Sequence, residues 1–306
     1  MSWYHAVFAP GLFANPAVQQ AALVAVVVAA VCGPVGTFTV VRSQSFAGHA
    51  LADVTSTGGS AALLLGLSPL LGFVAFGLGA AGAMEVAGTH RRQGRDLATG
   101  IVLGAALGLS ALLLYLTTTS QSSSGAVVSV LFGSIFAVSR PTVELAAGVG
   151  AAALALVGLS YRPLLLSSVN PDLAAAQGTP VRWVGAAYMA ALALAVALSA
   201  LTIGAILSTA LLIGPAAAAL QVTRSPGRAM VAASATALTS SWVAIVLAYD
   251  SYDWPPSHQG WPVSFFVVGL VLAAYLLARW LAGRRLRAPR AARALAGGRG
   301  AGLGGR

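Results

Sequence analysis

The sequence predicts an all-α protein, a polytopic bundle of eight or nine transmembrane helices. Apolar residues make up 58% of the 306 positions and charged residues only 8%, which leaves too little polar surface to solvate a soluble globule of this length. Continuous apolar segments recur at about the 20-residue length that a helix needs to cross a bilayer. They lack the two-residue alternation of a membrane β-barrel, so we expect helices throughout.

Nine apolar segments define the predicted spans. The second and third almost meet at Ser68 and Pro69, and a single helix across them would reduce the count to eight. The predicted spans cover residues 17–41, 49–67, 69–88, 97–117, 142–162, 181–203, 205–221, 227–249 and 262–282. We expect one membrane domain over residues 1–282. The basic tail at 283–306 is rich in Arg, Ala and Gly, which predicts a disordered cytosolic segment.

The arginines predict the orientation of the bundle. The net charge of +10 comes from 17 basic residues, all of them arginine, against seven carboxylates. Such an excess can indicate nucleic-acid binding, but arginines that flank apolar spans mark the cytoplasmic side of a membrane. Nine spans with the N-terminus outside place every arginine except Arg140 on one face. We therefore expect a cytosolic C-terminus, a lipid-bilayer environment and no nucleic-acid partner.

The composition also argues against an enzyme. A nucleotide-binding P-loop needs a lysine, which this chain lacks. The single cysteine, Cys32, excludes an intrachain disulfide and a cysteine-cluster metal site. An intramembrane hydrolase needs a nucleophile and a histidine at the same depth, and His49 is the only histidine predicted within a span, near one end. We therefore predict no catalytic residues.

One ionisable pair in the second span is the candidate metal site. His49 and Asp53 are four residues apart, which places both side chains on one face of a helix. Ionisable groups inside spans cost about 3 kcal/mol on insertion scales and therefore indicate function. Imidazole nitrogen and carboxylate oxygen are ligands that zinc and manganese accept, and the remaining ligands could come from a two-fold mate or from elsewhere in the chain. The structural alternative is a His–Asp hydrogen bond near the cytoplasmic end of the span.

Two further features predict packing inside the bundle. Gly100, Gly104 and Gly108 recur at four-residue spacing in the fourth span, a pattern that lets a neighbouring backbone approach closely. Glu85 lies one turn or so before a basic segment at 90–92, and we expect its carboxylate to pair with an arginine at the membrane interface.

The segment at 168–180 predicts a short cytosolic helix between two spans. Asn170 can cap the helix and Pro171 suits its first position, while Gly178 can end it and Pro180 prevents its continuation. Asp172 complements the helix dipole. A short, well-capped helix with an exposed apolar side suits docking into a cytosolic partner, although a plain connecting turn is the alternative.

Four segments together resemble the permease subunits of ATP-binding-cassette importers for zinc, manganese and related ions. The resemblance extends from about Val31 to Trp280, and it depends on the order and spacing of the segments. They are Val41-Arg42 through Gly48–Asp53, Leu131–Ser139, Pro171–Gly178, and Gly204–Leu207 running into Leu211–Ala217.

The resemblance implies a homodimeric permease of the bacterial cytoplasmic membrane with a central translocation path. A separate cytosolic ATPase would dock on the helix formed by Pro171, Asp172, Leu173, Ala174, Ala175, Ala176, Gln177 and Gly178, and an extracytoplasmic metal-binding protein would deliver the ion. The divalent metal would be a transported substrate, and no permanently bound cofactor is expected.

The expected function is import of zinc or manganese by alternating access, with His49 and Asp53 as transient ligands. The alternative is a permease for a chelated metal, a siderophore or a cobalamin-like substrate. Two departures from the family pattern concern the metal site. Members commonly carry Asp and then His, four apart, and this chain has the reverse order. The Leu-Pro-Gly that usually follows is replaced by Thr55-Ser56-Thr57-Gly58-Gly59.

Overall fold

The computed structural model describes residues 14–87, 95–121, 125–254 and 260–300, and over these ranges the chain is helical with no β-strand. Nine long helices in the described ranges correspond one to one to the nine predicted segments. They are α1 Pro16–Val41, α2 Ser45–Leu64, α3 Pro69–Ala87, α4 Arg95–Gln121, α6 Arg140–Leu159, α9 Val181–Ile203, α10 Ser208–Val222, α11 Pro226–Asp250 and α12 Val263–Gly300.

Three short α-helices lie between the long ones: α5 Gly125–Phe132, α7 Tyr161–Val169 and α8 Pro171–Ala176. Two single turns of 3-10 helix occur at Ile135–Ala137 and Ser251–Asp253. In the structure α2 and α3 are two separate helices. The sequence had left open whether they form a single helix. The chain turns at 65–68, where Gly66 has a φ of +70° and Pro69 begins the next helix.

Six of the described helices are long and apolar enough to cross a membrane: α1, α3, α6, α9, α11 and α12. Shorter apolar stretches occur at Leu103–Thr119 in α4 and Ser208–Val222 in α10. The remaining long helix, α2, carries His49, Asp53 and a run of Ser, Thr and Gly in place of large apolar side chains. Most of the long helices are therefore apolar enough for a multi-pass membrane fold.

Helix α9 lies at the centre of the bundle. Every residue from Ala191 to Ile203 is buried, as expected for a helix that is apolar on all sides. It packs against α3, α6, α1, α2 and α10, and α1 in turn packs against α11 and α10. Helix α12 contacts α10 and α11.

Glycines allow the closest helix contacts. A methyl group added at Gly58 in α2 would overlap the Gly72 carbonyl oxygen in α3, and one added at Gly36 in α1 would overlap the Leu212 carbonyl oxygen in α10. Among the described residues, no atom of another element lies within 4 Å of a methyl group added at Gly104 or Gly108 in α4, so this part of the chain does not itself supply the close neighbour predicted there. The glycines that pack closely against neighbouring helices include those in α1, α2 and α3.

The last helix is longer than the sequence indicated. Its backbone is helical as far as Gly300, past the predicted span at 262–282. The segment continues directly from a membrane helix, and its Ala, Arg and Leu residues have high helix propensity. Residues 301–306 lie outside the described residues.

Candidate functional site

The candidate metal pair lies in the first half of α2. The Nε2 atom of His49 is 3.9 Å from the Oδ2 atom of Asp53, and the two side chains are 54% and 17% exposed. This separation is too long for a hydrogen bond, so the structure does not contain the direct His–Asp bond that the sequence left as an alternative. Two ligands each about 2.1 Å from an ion can be at most about 4.2 Å apart. The pair is therefore close enough to share one ion.

Within the described residues, the pair offers two candidate ligands and no third one beside them. No group of three or more His, Cys, Asp or Glu side chains that could hold an ion occurs among the described residues. His49 is half exposed, so ligands from outside this chain can reach the imidazole. A stable site needs further donors, because Zn²⁺ takes four ligands in structural sites and three protein ligands in catalytic ones.

The hydroxyl residues after Asp53 hold α2 against α4, a role that the sequence did not predict. Ser56 donates a hydrogen bond to Ser110 at 3.2 Å, and the Ser60 and Ser110 hydroxyls lie 3.1 Å apart. Thr57 donates to the Ala106 carbonyl oxygen at 2.7 Å. The only sequence signal for this contact is the presence of serines in otherwise apolar helices, which bond across helices in membrane bundles.

Glycines occupy the opposite side of the same segment. The rings of Phe76 and Phe73 in α3 would overlap methyl groups added at Gly58 and Gly59, respectively. The segment at 55–59 that replaces Leu-Pro-Gly is thus fixed on one side by hydroxyl contacts and on the other by close packing. Asp53 lies about half a turn, and His49 less than two turns, before this fixed segment.

Two of the motifs that carried the family resemblance meet inside the bundle. Gly133 and Gly204 have φ values of +76° and +85°. The Ala205 amide donates to the Val130 carbonyl oxygen at 3.0 Å, and the Ile206 amide donates to the Leu131 carbonyl oxygen at 3.4 Å. These bonds satisfy carbonyl groups at the end of α5, as required for irregular backbone at membrane depth.

The short helix α8 has the capping that the sequence predicted. The Asn170 Oδ1 atom accepts a hydrogen bond from the Leu173 amide at 3.0 Å, and Pro171 occupies the first turn. The helix ends at Ala176, and Gly178 follows with a φ of +78°. The Thr179 amide donates to the Ala174 carbonyl oxygen at 3.0 Å, which closes the C-terminal end. The predicted helix is confirmed, two residues shorter than expected.

One side of helix α8 packs against the bundle, and its other sides are exposed. Ala174 is fully buried, whereas Leu173 is 47% exposed and Val169, just before the helix, is 78% exposed. The helix contacts α7 and α9. Its exposed surface therefore combines apolar side chains with the carboxylate of Asp172, which is also exposed.

These features define the class of the molecule as a helical membrane permease: a bundle of long apolar helices, a partly exposed ionisable pair in one of them, and a capped helix between two long helices. The chain belongs to the ABC 3 transport family, whose model matches residues 14–276. It is thus a multi-pass permease of the bacterial cytoplasmic membrane.

Relatives with assigned names cover most of the chain. It is 33% identical over 205 residues to the manganese transport system membrane protein MntC of Halalkalibacterium halodurans, covering 67% of this chain and 69% of that protein. It is 30% identical over 243 residues to the manganese import system permease protein ScaB of Streptococcus parasanguinis, covering 79% and 85%.

A solved structure shares the fold. PsaBC from Streptococcus pneumoniae, determined in complex with Fab, superimposes with a TM-score of 0.74 at 29% sequence identity. The match covers 88% of this chain and 92% of that one. The permease architecture expected from the sequence is therefore confirmed.

Proposed function

We propose that this chain imports a divalent metal ion, manganese or zinc, by alternating access, and that a separate ATPase subunit drives it. The observation that carries the proposal is the His49–Asp53 pair, two candidate ligands 3.9 Å apart in a membrane helix. The names of the relatives favour manganese. Mixed nitrogen and oxygen donors accept either ion, and the carboxylate suits manganese in particular.

A second copy of the chain would complete the ligand set. Two protomers related by a two-fold axis would bring two histidines and two aspartates to one path. The half-exposed imidazole of His49 and the incomplete ligand set in the described residues support this arrangement. Transient coordination also suits transport, because an ion held by few ligands per subunit is released readily. An extracytoplasmic metal-binding protein would deliver the ion to this path.

The proposed topology has nine spans with the N-terminus outside and the C-terminus in the cytosol. Nine long helices in the described ranges support it, together with the arginine distribution, which leaves only Arg140 on the outer face. In this topology α8 lies on the cytosolic side. The ATPase subunit would dock there on the residues around Asp172 and Leu173, which are exposed.

The metal assignment is tested by uptake of Mn²⁺ into proteoliposomes that contain the permease and its ATPase. We expect His49→Ala and Asp53→Ala each to reduce uptake by at least about tenfold, the scale of losing one ligand interaction. Glu144→Gln is the matched control, because it neutralises an exposed carboxylate in another helix. Uptake that survives both ligand substitutions would contradict the assignment.

The docking assignment is tested by substitution on the open side of α8. Ala175→Trp adds bulk at an exposed position, and Ala147→Trp is the control at an exposed position of α6. We expect only Ala175→Trp to weaken co-purification of the ATPase subunit or its stimulation by metal. Equal behaviour of the two variants would contradict docking at α8.

A further inference from the structure

The Arg42 side chain connects elements that are distant in sequence. Arg42 is the C-cap residue of α1, and its NH1 atom donates hydrogen bonds to the Ser167 hydroxyl at 3.1 Å and the Ser168 hydroxyl at 3.2 Å. Both serines lie in the last turn of α7, directly before the docking helix α8. The guanidinium therefore links the cytosolic end of α1 to the base of α8.

The same guanidinium contacts the central helix. Its carbon Cζ lies 5.1 Å from the centroid of the Tyr188 ring in α9, within the range of a cation–π interaction. The Tyr188 hydroxyl donates to the Thr39 hydroxyl in α1 at 2.9 Å, and Tyr188 is only 1% exposed. Arg42 is thus held between the last turn of α7 and a buried aromatic ring.

Arg42 also begins the turn that leads into the helix of the candidate ligands. In this turn the Ser43 amide donates to the Val40 carbonyl oxygen at 3.1 Å, and the Gln44 amide donates to the Thr39 carbonyl oxygen at 2.9 Å. Ser43 has a φ of 55°, a left-handed conformation that is uncommon for a residue other than glycine. Helix α2 begins at Ser45, and His49 follows in its second turn.

The polar groups around the turn are not all satisfied. Among the described residues, neither Arg42 Nε nor Gln44 Oε1 has a hydrogen-bond partner, and both atoms are buried. Burial lowers the pKa of the Arg42 guanidinium, while Tyr188 and Glu85 oppose this shift. The arginines at 91–92, with which Glu85 is predicted to pair, lie outside the described residues. A buried donor and a buried acceptor without hydrogen-bond partners are destabilising, so a different conformation of this turn that gives both atoms partners would be favoured.

We propose that Arg42 is a positioning residue that transmits movement of the ATPase-docking segment to α2 and its metal ligands. The contacts form one continuous route: α8 follows α7, α7 binds Arg42 through two hydroxyls, and Arg42 begins the short turn into α2. The buried ring of Tyr188 in α9 provides the surface on which the guanidinium rests. The inference rests on the proposed function, because it assumes that an ATPase docks at α8.

The test measures Mn²⁺ uptake and ATP hydrolysis in the same proteoliposomes. Arg42→Ala is expected to lower the number of ions transported per ATP by at least about tenfold, because the loss of even one hydrogen bond from a charged donor corresponds to about that factor. Arg42→Lys is expected to recover the ratio to within about threefold of wild type, because the ammonium can still donate to one hydroxyl. Arg228→Ala, which removes an exposed arginine of α11, is the matched control and should leave the ratio unchanged.

A double-mutant cycle separates transmission from a general loss of structure. Replacing Ser167 and Ser168 together by alanine should lower the same ratio while leaving Arg42 in place. Adding Arg42→Ala to that variant should give no further loss, because the three residues act through one contact. Additive losses, or a wild-type ratio in Arg42→Ala, would overturn the inference.

A spin label gives a readout that does not depend on the transported ion. Phe46→Cys places the label at an exposed position in the first turn of α2, in a Cys32→Ser background that leaves no other thiol. ATP should change the mobility of the label in the wild-type complex, and Arg42→Ala should abolish this change. A wild-type label response without Mn²⁺ uptake would contradict the proposed ion. A label response that persists in Arg42→Ala would contradict the role of Arg42.

Discussion

The backbone of Gly58 in α2 lies directly against the backbone of Gly72 in α3, so that a methyl group added at either glycine would overlap the carbonyl oxygen of the other. Small residues allow such contacts in membrane bundles, where helices associate through close packing in the absence of a hydrophobic driving force. The contact fixes α2 two to three turns beyond His49. We therefore expect the position of the candidate ligands to depend on it.

Gly58→Ala is predicted to destabilise the folded permease. The methyl group has to displace α3, and overpacking of this kind typically costs about 1–3 kcal/mol. The measurement is the free energy of unfolding of the purified protein in mixed micelles. Gly104→Ala is the matched control, because open space surrounds Gly104 and alanine gains up to about 1 kcal/mol of helix propensity. A loss of stability in both variants, or in neither, would contradict the role of the contact.

The sequence could predict the positions of the long helices because hydrophobic length is a local property. It placed α9 at its observed bounds, 181–203, and it identified the caps of α8 from Asn170 and Gly178. It could not predict which glycines pack. Gly58 and Gly104 both lie in membrane helices, and only the three-dimensional arrangement decides which of them faces another helix.

The sequence could not predict which side chains of distant segments contact each other. The Ser110 hydroxyl meets two serines of α2, and Arg42 meets two serines of α7. Serine and arginine at helix ends or in apolar helices have many possible partners, so the residue type does not identify the partner. The His49–Asp53 pair was predictable because its four-residue spacing is a property of one helix.

Ser110→Ala is predicted to loosen the contact between α2 and α4. The substitution removes the interhelical partner of the Ser56 and Ser60 hydroxyls, and polar contacts between membrane helices average about 0.6 kcal/mol each. We expect a loss of about 1 kcal/mol in the free energy of unfolding. Thr119→Val is the control, since Thr119 is exposed and, within the described part of the chain, its hydroxyl donates to carbonyl oxygens of its own helix. Equal stabilities of the two variants would contradict the interhelical role of Ser110.

Exchange of the two candidate ligands is predicted to preserve transport. The double variant His49→Asp, Asp53→His keeps one imidazole and one carboxylate on the same face of α2 and restores the order common in the family. We expect Mn²⁺ uptake to stay within about tenfold of wild type, because ligand type governs metal choice more than ligand order. Each single exchange, which leaves two aspartates or two histidines, should reduce uptake more than the double exchange. A double variant no better than either single variant would contradict a shared ion site.

Asn170→Ala is predicted to impair coupling without unfolding the bundle. The substitution removes the side-chain oxygen that accepts from the Leu173 amide, and loss of an N-cap typically costs about 1 kcal/mol. Helix α8 has only six residues, so this loss frays the helix that would contact the ATPase, whereas the membrane helices remain intact. The measurements are ATP hydrolysis stimulated by Mn²⁺ and the free energy of unfolding. Asn170→Asp retains a capping oxygen and should keep the stimulation, so a similar loss in both variants would show that capping of α8 is not what coupling requires.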